Sequence, residues 1–588
     1  MSQLAALRAA LQVEREALIA EHQSYNALDL RARAGVGHTL YPLDIITVEL
    51  RSRSRVNVLL RGSNLHTGIN AGDLVTLAPL GRPDSGFDGR CDGVDGNTVE
   101  LRLDVAPEGK GPWAVSRRLD LSLLDREADA LERAERIRSP LAHLLRGIEP
   151  PYRPDPYEHS AFAALDASQQ IAAALAFGAT EIGLVHGPPG TGKTEVLAAI
   201  LEACRERGER PWALAASNAA VDVLAEKTAA RGLTVVRIGV SSRIGSRVLP
   251  LTLEHRILHG ARSPVITGLL RDATRASSEE LAQVRAAIAE EWSVAKREIL
   301  DNADVLAMTL GTLYTRGDRF PPPRTAVVDE ASQIWEPSIW LLASRVKRMI
   351  LAGDPQQLGP VSRSKHPLLD RSLLERLVET GFSFPMLQTQ YRMSDALLAL
   401  SQGAWPLPIV SAAANAGVLV ADLGVDPGFF GDPSARFIDT AGFGADEEAD
   451  GSGSFYNPGE LQLLRRVWSE LQAGGLRAEQ VGVITPYHAQ LIRLRAAFPE
   501  LEAGTVNSFQ GREKEVILCS WVRSNPQGER GFVADPRRLV VSVTRARRLW
   551  LGVGDSATLG GCPAWRELLG RIERGGGYTS AWELGEEP

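Results

Sequence analysis

The chain has 588 residues, a formal net charge of −7 at pH 7, 44% hydrophobic and 23% charged residues, and four cysteines. Its length exceeds what one hydrophobic core supports, and its composition is that of an ordinary globular protein, which excludes a fibrous or intrinsically disordered one. The cysteines lie far apart in the sequence, which argues against a disulfide framework, a zinc module or an iron–sulfur cluster.

The sequence lacks the patterns of export and of membrane insertion. No run of about 18 apolar residues occurs, which is the length that a membrane-spanning helix requires. Residues 1–30 have the pattern of an amphipathic helix that carries Glu14, Glu16 and Glu21, which is typical of neither a signal peptide nor a transit peptide. We therefore expect a cytoplasmic protein with no membrane partner.

The first 150 residues predict a small β-barrel between two helices. Apolar residues at helical spacing occupy residues 4–33 and return over residues 123–145. Between them, short strands separated by Gly, Asn and Asp turns favour an antiparallel barrel, with strands at 45–50, 56–60, 74–77 and 99–103. The expected units are a stalk helix over 1–36, the barrel over 37–121, and a second stalk helix over 122–150 that leads into a stiff proline-rich linker over 149–156.

From residue 151 onward, short apolar strands alternate with helices, which indicates parallel sheets covered on both faces. The block 151–384 has predicted strands at 182–185, 212–216, 305–308, 325–328 and 349–352, with a mostly helical insertion at about 240–300. The block 385–588 has predicted strands at 436–438, 481–484, 516–519, 539–542 and 549–552. Asn457 and Pro458 predict the start of a helix, as its cap and its first-turn proline. The predicted fold class is α/β.

A glycine-rich loop follows the first predicted strand of the 151–384 block. Its residues are Gly187, Pro188, Pro189, Gly190, Thr191, Gly192, Lys193 and Thr194. Glycines let the backbone curl so that several N–H groups point at phosphate oxygens at the start of the next helix. Lys193 suits the β- and γ-phosphates of a nucleotide, and the hydroxyl of Thr194 suits Mg²⁺. The loop therefore predicts a nucleoside-triphosphate site.

Two further polar segments follow later strands of the same block. Asp329 ends a buried strand, where its carboxylate can hold Mg²⁺ together with Thr194, and Glu330 can orient or deprotonate an attacking water. The alternative is a pair of exposed turn carboxylates. Residues 353–360 include Gln357, a polar side chain that can reach a γ-phosphate, and the alternative there is a Gly/Pro turn.

In this order, these segments resemble the motifs of the first RecA-like domain of superfamily 1 helicases. Upstream, Gln169 in Leu-Asp-Ala-Ser-Gln matches a further motif, and in the second block residues 390–393, 484–487, 504–513 and 543–546 resemble the remaining ones. The chain is most similar to the superfamily 1B family of the nonsense-mediated-decay RNA helicase and the immunoglobulin-mu-binding helicase, in a minimal, prokaryote-like form. The resemblance spans about residues 166–555 and implies two RecA-like parallel-sheet domains with a β-barrel on a helical stalk.

The resemblance also implies a role for individual side chains around ATP. The implied contacts are Gln169 to the adenine edge, Tyr391 to the base, Glu513 near the ribose, Gln357 to the γ-phosphate, and Arg392 and Arg545 as arginine fingers. A planar, permanently charged guanidinium suits the charge that develops on transferred phosphoryl oxygens. With Lys193, Asp329 and Glu330, the two arginines form the implied catalytic set. Without the motifs, a surface salt bridge and core packing are the alternatives for the arginines and the tyrosine.

The family resemblance further implies that a nucleic-acid strand lies across both RecA-like domains, held by loop ends that grip phosphates without reading sequence. The matching positions are Ser217, Asn218, Thr309, Thr312, Pro486, Tyr487, Thr505 and Ser508. Hydroxyl and amide side chains also cap helices, which is the alternative for these positions. Asn507 stands where family members often carry an acidic residue, so the strand contact at that position stays open.

The leading hypothesis is an ATP- and Mg²⁺-dependent translocase and helicase that moves 5′ to 3′ on single-stranded nucleic acid and unwinds tailed duplexes, with DNA favoured over RNA. An RNA helicase or ribonucleoprotein remodeller of the same family is the first alternative, because contacts to the 2′-hydroxyl are not visible in a sequence. A catalytically silent nucleic-acid-binding scaffold and a P-loop switch for a protein partner are the others. The intact catalytic set argues against the scaffold, and the second RecA-like block argues against the switch.

Overall fold

The computed structural model describes residues 2–52, 55–63, 68–81, 85–109, 111–147, 154–240, 244–273, 278–382, 385–451 and 453–585. Residues 149–153 of the predicted linker over 149–156 lie outside these ranges. The described residues form a closed barrel and two six-stranded parallel sheets, which confirms the predicted fold class. None of the described helices is both long enough and apolar enough to cross a membrane.

In the N-terminal part, the described residues form a six-stranded barrel and four helices. They are α1 (Gln3–Ala27), α2 (Leu30–Gly35), β1 (Thr39–Ser52), β2 (Arg55–Gly62), β3 (Leu74–Pro79), β4 (Phe87–Asp95), β5 (Thr98–Leu103), β6 (Trp113–Arg117), α3 (Ser122–Ala134) and α4 (Pro140–Leu145). The strands pair antiparallel in the order β1-β2-β5-β4-β3-β6. Strands β4 and β6 were missing from the prediction because β4 is mostly polar and β6 is short.

The second stalk helix is divided, so its prediction as one continuous helix over 123–145 was wrong. Helix α3 ends at Ala134, and α4 begins at Pro140 with Ser139 as its cap. A proline fits the first turn of a helix but would break its interior, because it has no N–H to donate. The chain therefore stops one helix before Pro140 and starts another there.

The first RecA-like domain carries a parallel sheet and the helical insertion. Its elements are α5 (Ala167–Gly178), β7 (Ile182–His186), α6 (Lys193–Glu206), β8 (Trp212–Ala215), α7 (Asn218–Ala230), β9 (Val235–Ile238), α8 (Leu253–His259), α9 (Ser263–Ala273), α10 (Ser278–Asp301), β10 (Val305–Thr309), α11 (Leu310–Arg316), β11 (Thr325–Asp329), α12 (Glu336–Ala343), β12 (Arg348–Gly353) and α13 (Leu373–Glu379). The strand order is β7-β12-β11-β8-β10-β9, with helices α8–α10 as the insertion. Buried residues form one core cluster on each side of this sheet.

The second RecA-like domain repeats this plan. Its elements are β13 (Thr389–Gln390), α14 (Asp395–Ser401), β14 (Val410–Ser411), α15 (Ala413–Ala416), β15 (Ala435–Asp439), β16 (Glu448–Ala449), β17 (Phe455–Tyr456), α16 (Pro458–Ala473), β18 (Val481–Thr485), α17 (His488–Ala497), β19 (Glu502–Thr505), β20 (Lys514–Ser520), α18 (Pro536–Val543), β21 (Ala546–Gly554), α19 (Ser556–Leu559), α20 (Pro563–Arg574) and β22 (Tyr578–Ser580). The parallel order is β19-β18-β20-β21-β15-β22. Asn457 caps α16 as predicted.

Residues 539–542 belong to helix α18, so their prediction as a strand was wrong. The side chain of Asp535 caps this helix, and Pro536 occupies its first turn. A short apolar run fits a buried strand and a buried helix equally well, and here the cap and the proline favour the helix.

The stalk packs on the first RecA-like domain. Leu7 of α1 and Leu131 of α3 share one buried cluster with Trp340 of α12. The buried carboxylate of Glu14 accepts hydrogen bonds from the backbone N–H groups of Arg363, at 2.9 Å, and Ser364, at 2.8 Å. The stalk is therefore attached to the loop that directly follows the predicted γ-phosphate segment, residues 353–360.

Opposite ends of the two parallel sheets meet at one cleft. In the first domain, the phosphate loop follows β7 and Asp329 ends β11, so both lie at carboxyl ends of strands. In the second domain, Glu513 directly precedes β20 and Arg545 directly precedes β21, so both lie at amino ends. The topology thus brings segments that are far apart in the sequence to the same space between the domains.

Candidate active site and nucleic-acid interface

A cavity of about 610 Å³ lies between the two RecA-like domains. It is lined by most of the side chains predicted to bind ATP, namely Gln169, Pro189, Gly190, Gly192, Lys193, Thr194, Glu330, Gln357, Tyr391, Arg392, Glu513 and Arg545. The other four predicted residues, Gly187, Pro188, Thr191 and Asp329, are buried. The fold therefore gathers the predicted residues at one site.

The phosphate loop depends on two glycines with left-handed backbone. Gly190 has φ 74° and Gly192, the cap of α6, has φ 79°, a region that other residues rarely occupy. A Cβ atom on Gly190 would lie 2.7 Å from Cβ of Arg392, so this glycine also lets the second domain approach the loop. The ammonium of Lys193 donates to the carbonyl of Gly187 at 2.7 Å, which holds the charge inside the loop.

The hydroxyl of Thr194 donates to Oδ2 of Asp329 at 2.8 Å. Burial, and then the neighbouring Glu330 carboxylate, raise the pKa of Asp329 to about 6. A hydroxyl and a carboxylate oxygen side by side fit a hard divalent cation such as Mg²⁺, which prefers oxygen ligands. A cation there would also stabilise the charged form of a carboxylate that burial disfavours.

Glu330 has an unusual backbone conformation. Its φ of 53° places a residue other than glycine in the left-handed region, a strained arrangement that concentrates at functional sites. Its side chain lines the cavity and accepts a hydrogen bond from Nε2 of Gln333 at 3.0 Å. The strained turn thus aims a carboxylate at the space where a triphosphate would end.

Two arginines of the second domain face the phosphate loop. Arg392 donates to the carbonyl of Thr544 at 2.9 Å and to the carboxylate of Glu513. Arg545 is only 2% exposed and donates from Nη2 to Oε1 of Gln357 at 3.1 Å. Burial, and then the charge of Arg392, lower the pKa of Arg545 to about 9. Both guanidinium groups would therefore be stabilised by an anion in the cavity.

Behind Gln357, a buried carboxylate joins the two domains, and the sequence did not reveal this arrangement. Oδ2 of Asp354 accepts from Nε2 of Gln357 and from Nε1 of Trp405, both at 3.0 Å, and Oδ1 lies 3.1 Å from Nε2 of His186. Burial alone would raise the pKa of Asp354, but the hydrogen bond and charge of His186 lower it. Asp354 stands in the predicted 353–360 segment, whereas no sequence pattern links it to Trp405.

At the other end of the cavity, Tyr391 is 42% exposed and its hydroxyl donates to Oδ2 of Asp166 at 2.7 Å. Burial and this carboxylate raise the pKa of Tyr391 to about 12. The side-chain amide of Gln169, in contrast, is buried and already hydrogen-bonded. Its Nε2 donates to the carbonyl of Thr191 at 3.0 Å, and its Oε1 accepts from the N–H of Asp166 at 3.1 Å. The ring is free to stack on a base, whereas the amide of Gln169 supports the phosphate loop.

Several charged residues that line the cavity were not predicted. They are Asp166, Glu195, Lys227 and Arg547. Arg547 binds the carboxylate of Glu513 from the side opposite Arg392. Burial alone would raise the pKa of Glu513, but the two guanidinium groups lower it to about 2. The spacing of Arg547, two residues beyond Arg545, was the available sequence signal.

The residues predicted to hold a nucleic-acid strand lie at the carboxyl ends of parallel β-strands in both sheets. Ser217 follows β8 closely, Thr309 ends β10, Tyr487 follows β18 closely and Thr505 ends β19. The carboxyl ends of parallel strands share one edge of a sheet. In the first domain, these residues therefore lie on the same side of the sheet as the phosphate loop. The loop follows β7, whereas the predicted contacts follow β8 and β10, which lie farther from β7 in the sheet.

The hydroxyls at these positions also act as helix or turn caps. Oγ of Ser217 accepts from the N–H of Ala220 at 3.2 Å. The equivalent bond joins Thr309 to the N–H of Thr312 at 3.1 Å, and Thr505 to the N–H of Ser508 at 3.1 Å. The capping alternative therefore describes these three side chains in this structure. A bound nucleic-acid strand would meet hydroxyl groups whose orientation these capping bonds already fix.

Asn218 and Tyr487, which were also predicted to contact the nucleic acid, have hydrogen-bond partners within the protein. Oδ1 of Asn218 accepts from Arg237 at 2.8 Å. Tyr487 is 3% exposed, and its hydroxyl accepts from Nη1 of Arg523 at 3.2 Å; Pro486 beside it is also buried. The side chains of Tyr487 and Pro486 therefore offer a strand little surface of their own.

Comparison with known proteins matches the chain to two family models, each described as an AAA domain. One matches residues 164–287 and 267–365, and the other matches residues 369–557. The chain is 33% identical to DNA-binding protein SMUBP-2 of Mus musculus over 71% of this chain and 45% of that protein. It is 32% identical to DNA polymerase alpha-associated DNA helicase A of Schizosaccharomyces pombe, over 67% of this chain and 64% of that protein.

A third relative is the ATP-dependent helicase NAM7 of Saccharomyces cerevisiae. It is 33% identical, over 69% of this chain and 43% of that protein. The chain thus spans about half the length of the curated relatives it matches.

Proposed function

We propose that this chain, which belongs to the superfamily 1B family of the nonsense-mediated-decay and immunoglobulin-mu-binding helicases, is an ATP-driven translocase and helicase on single-stranded nucleic acid. One observation carries the proposal: the interdomain cavity is composite, with Lys193 and Glu330 from the first domain and Arg392 and Arg545 from the second. A triphosphate in this cavity would draw the domains together, and its hydrolysis would release them. Such a cycle can move a strand that lies across both domains.

In the proposed reaction, water attacks the γ-phosphorus and the bond to the β,γ-bridging oxygen breaks, which leaves ADP and phosphate. Glu330 orients the water and accepts its proton. Lys193, Arg392 and Arg545 stabilise the negative charge that develops on the phosphoryl oxygens. Bound Mg²⁺, which Thr194 and Asp329 would hold, supplies further neutralisation of phosphate charge.

The proposed track is single-stranded nucleic acid, read without sequence preference, and the proposed direction is 5′ to 3′. Direction rests on the motif resemblance and on the barrel and stalk that pack on the first domain. DNA is favoured over RNA because two relatives are named as a DNA-binding protein and as a DNA helicase. An RNA helicase or ribonucleoprotein remodeller remains the second candidate, since a third relative is named only as an ATP-dependent helicase.

The test is steady-state ATP hydrolysis with and without single strands of matched DNA and RNA sequence. We expect activation by single strands of any sequence, stronger with DNA. Affinity should also fall with salt, with a slope of about −0.7 in log K per phosphate neutralised. Strand binding without hydrolysis would support a silent scaffold, and hydrolysis that no strand affects would support a P-loop switch. Stronger activation by RNA would transfer the proposal to the second candidate.

A further inference from the structure

One aromatic side chain on the second RecA-like domain is held in an exposed position by rigid neighbours. Phe532 is 44% exposed and lies in a short 3₁₀ helix, Gly531–Ala534. The next residue, Val533, is buried, and its carbonyl accepts from Nε1 of Trp565 at 3.2 Å. Gly531 has φ 55°, and a Cβ atom there would lie 2.9 Å from Nη1 of Arg523. The backbone that carries Phe532 is therefore fixed on both sides.

Phe532 lies between the two second-domain segments that were predicted to hold a strand. Its ring centroid is 4.5 Å from that of Tyr487, in the 484–487 segment. The guanidinium carbon of Arg538 lies 4.7 Å from the same ring centroid. Nη1 of Arg538 donates to Oδ1 of Asn507 at 2.7 Å, in the 504–513 segment. Phe532 thus contacts the 484–487 segment directly and is connected to the 504–513 segment through Arg538.

The other exposed aromatic side chains among the described residues have different surroundings. Tyr391 lies in the nucleotide cavity, Tyr157 packs on Phe177, Trp582 packs on Phe443, and Phe429 lies beside Phe430 and Arg436. Single exposed apolar residues are common and carry no meaning alone. Phe532 differs because its neighbours are the predicted strand contacts.

We propose that Phe532 is a base-stacking platform for the bound strand, backed by Tyr487 and flanked by Arg538. This inference rests on the proposed function, since it places a base on the ring. Bases stack on aromatic side chains without regard to sequence because every base has a π-face. The capped hydroxyls along this edge are suited to phosphate contacts, so Phe532 would supply a base contact beside them. Tyr487, which is itself covered, acts through the ring of Phe532.

The test compares two oligomers of equal length, oligodeoxythymidine and an abasic deoxyribose-phosphate chain, by fluorescence anisotropy at one salt concentration. Phe532→Ala should weaken binding of oligodeoxythymidine by about 5- to 150-fold, the scale of one stacked base. It should leave binding of the abasic oligomer within about twofold of the wild type, since that oligomer has nothing to stack. Phe532→Trp should retain the affinity for oligodeoxythymidine, because it keeps an aromatic face.

Phe429→Ala is the matched control, because Phe429 is 49% exposed and lies 4.1 Å from the Arg436 guanidinium carbon but touches neither segment. It should bind both oligomers as the wild type does. Equal losses of affinity for the two oligomers in Phe532→Ala, or no loss for either, would overturn the assignment. If the Phe532→Ala variant does not fold, a folded Phe532→Leu variant takes its place in the test. It should likewise lose affinity for oligodeoxythymidine but not for the abasic oligomer. Failure of the wild type to bind any strand would instead refute the proposed function.

Discussion

Arg545 of the second RecA-like domain donates a hydrogen bond to Gln357 of the first, from Nη2 to Oε1 at 3.1 Å. Gln357 in turn donates to Asp354, whose carboxylate also accepts from Trp405 of the second domain. The predicted γ-phosphate sensor and the predicted arginine finger are thus partners of each other. A γ-phosphate between them would replace this bond with two charge-assisted ones, so nucleotide state and domain closure involve the same atoms.

The first prediction concerns this arginine. Arg545→Ala should lower kcat for ATP hydrolysis by ~10³-fold or more, the scale of an arginine finger, with nucleotide affinity nearly unchanged. Lys193→Ala should weaken both binding and turnover. Arg548→Ala is the control, because Arg548 pairs with Glu515 outside the cavity. Stopped-flow nucleotide binding and steady-state hydrolysis measure the two effects, and wild-type turnover in Arg545→Ala would contradict the assignment.

The second prediction separates the two contacts of Tyr391. Tyr391→Ala should raise KM for ATP by about tenfold, which corresponds to ~1.4 kcal/mol and lies within the range of one base stacked on an aromatic ring. Tyr391→Phe should raise it far less, since it keeps the ring and loses only the hydrogen bond to Asp166. Steady-state KM values for both variants decide the matter. If Tyr391→Phe shows the full effect, the hydroxyl and not the ring holds the nucleotide.

The third prediction concerns pH and the buried stalk carboxylate. Glu127 of α3 is fully buried, and its Oε2 has no hydrogen-bond partner among the described residues. Burial raises the pKa of Glu127 from 4.5 to about 7, against a smaller opposing effect of the hydrogen bond from Ser338. Between these pH values the folded state binds a proton that the unfolded state lacks, so this group's contribution to stability falls as pH rises through that window.

Glu127→Gln should therefore raise the unfolding temperature relative to the wild type at pH 8, and the gain should shrink at pH 5. Thermal unfolding at the two pH values measures it. Glu132→Gln is the control on the same helix, because the Glu132 carboxylate is exposed and forms a surface ion pair with Arg136. An equal gain at both pH values would show that the Glu127 carboxyl does not titrate in this range.

The fourth prediction concerns Glu14, whose carboxylate joins the stalk to the loop at Arg363 and Ser364. Glu14→Ala should reduce unwinding more than strand-free ATP hydrolysis, because the ATP-site residues lie elsewhere. Glu16→Ala, an exposed position on the same helix, is the matched control. Unwinding and hydrolysis rates are measured on the same preparations. Parallel losses of both rates would mean that the contact serves folding alone.

The fifth prediction concerns direction. A duplex with only a 5′ single-stranded tail should be unwound, and one with only a 3′ tail should not. Blunt duplexes should activate hydrolysis poorly, since the strand positions need an exposed backbone. Gel or fluorescence assays with the three substrates measure this. Efficient unwinding from a 3′ tail alone would reverse the proposed polarity.

The sequence predicted those parts of the molecule that short, local patterns determine. The phosphate loop and Asp329 were predictable because glycine spacing and a carboxylate after a buried strand have direct physical meaning. Helix α18 was mistaken for a strand because four apolar residues fit both. The bonds of Asp354 to His186 and Trp405 were not predictable, since partners 168 and 51 residues apart meet only in the folded chain. Likewise, the hydrogen bond from the Gln169 amide to Thr191 was not predictable, since it depends on where the phosphate loop lies in the folded chain.

The bonds of Glu14 lie near the middle of α1. This helix has 25 residues, which corresponds to a length of roughly 38 Å at 1.5 Å per residue. Before Glu14, Leu4, Leu7 and Leu11 are buried against the first domain. Near the other end, the ring centroid of Tyr25 lies 5.2 Å from that of His38, which directly precedes the first barrel strand. The position of the barrel is therefore tied to the loop after the γ-phosphate segment through one continuous helix.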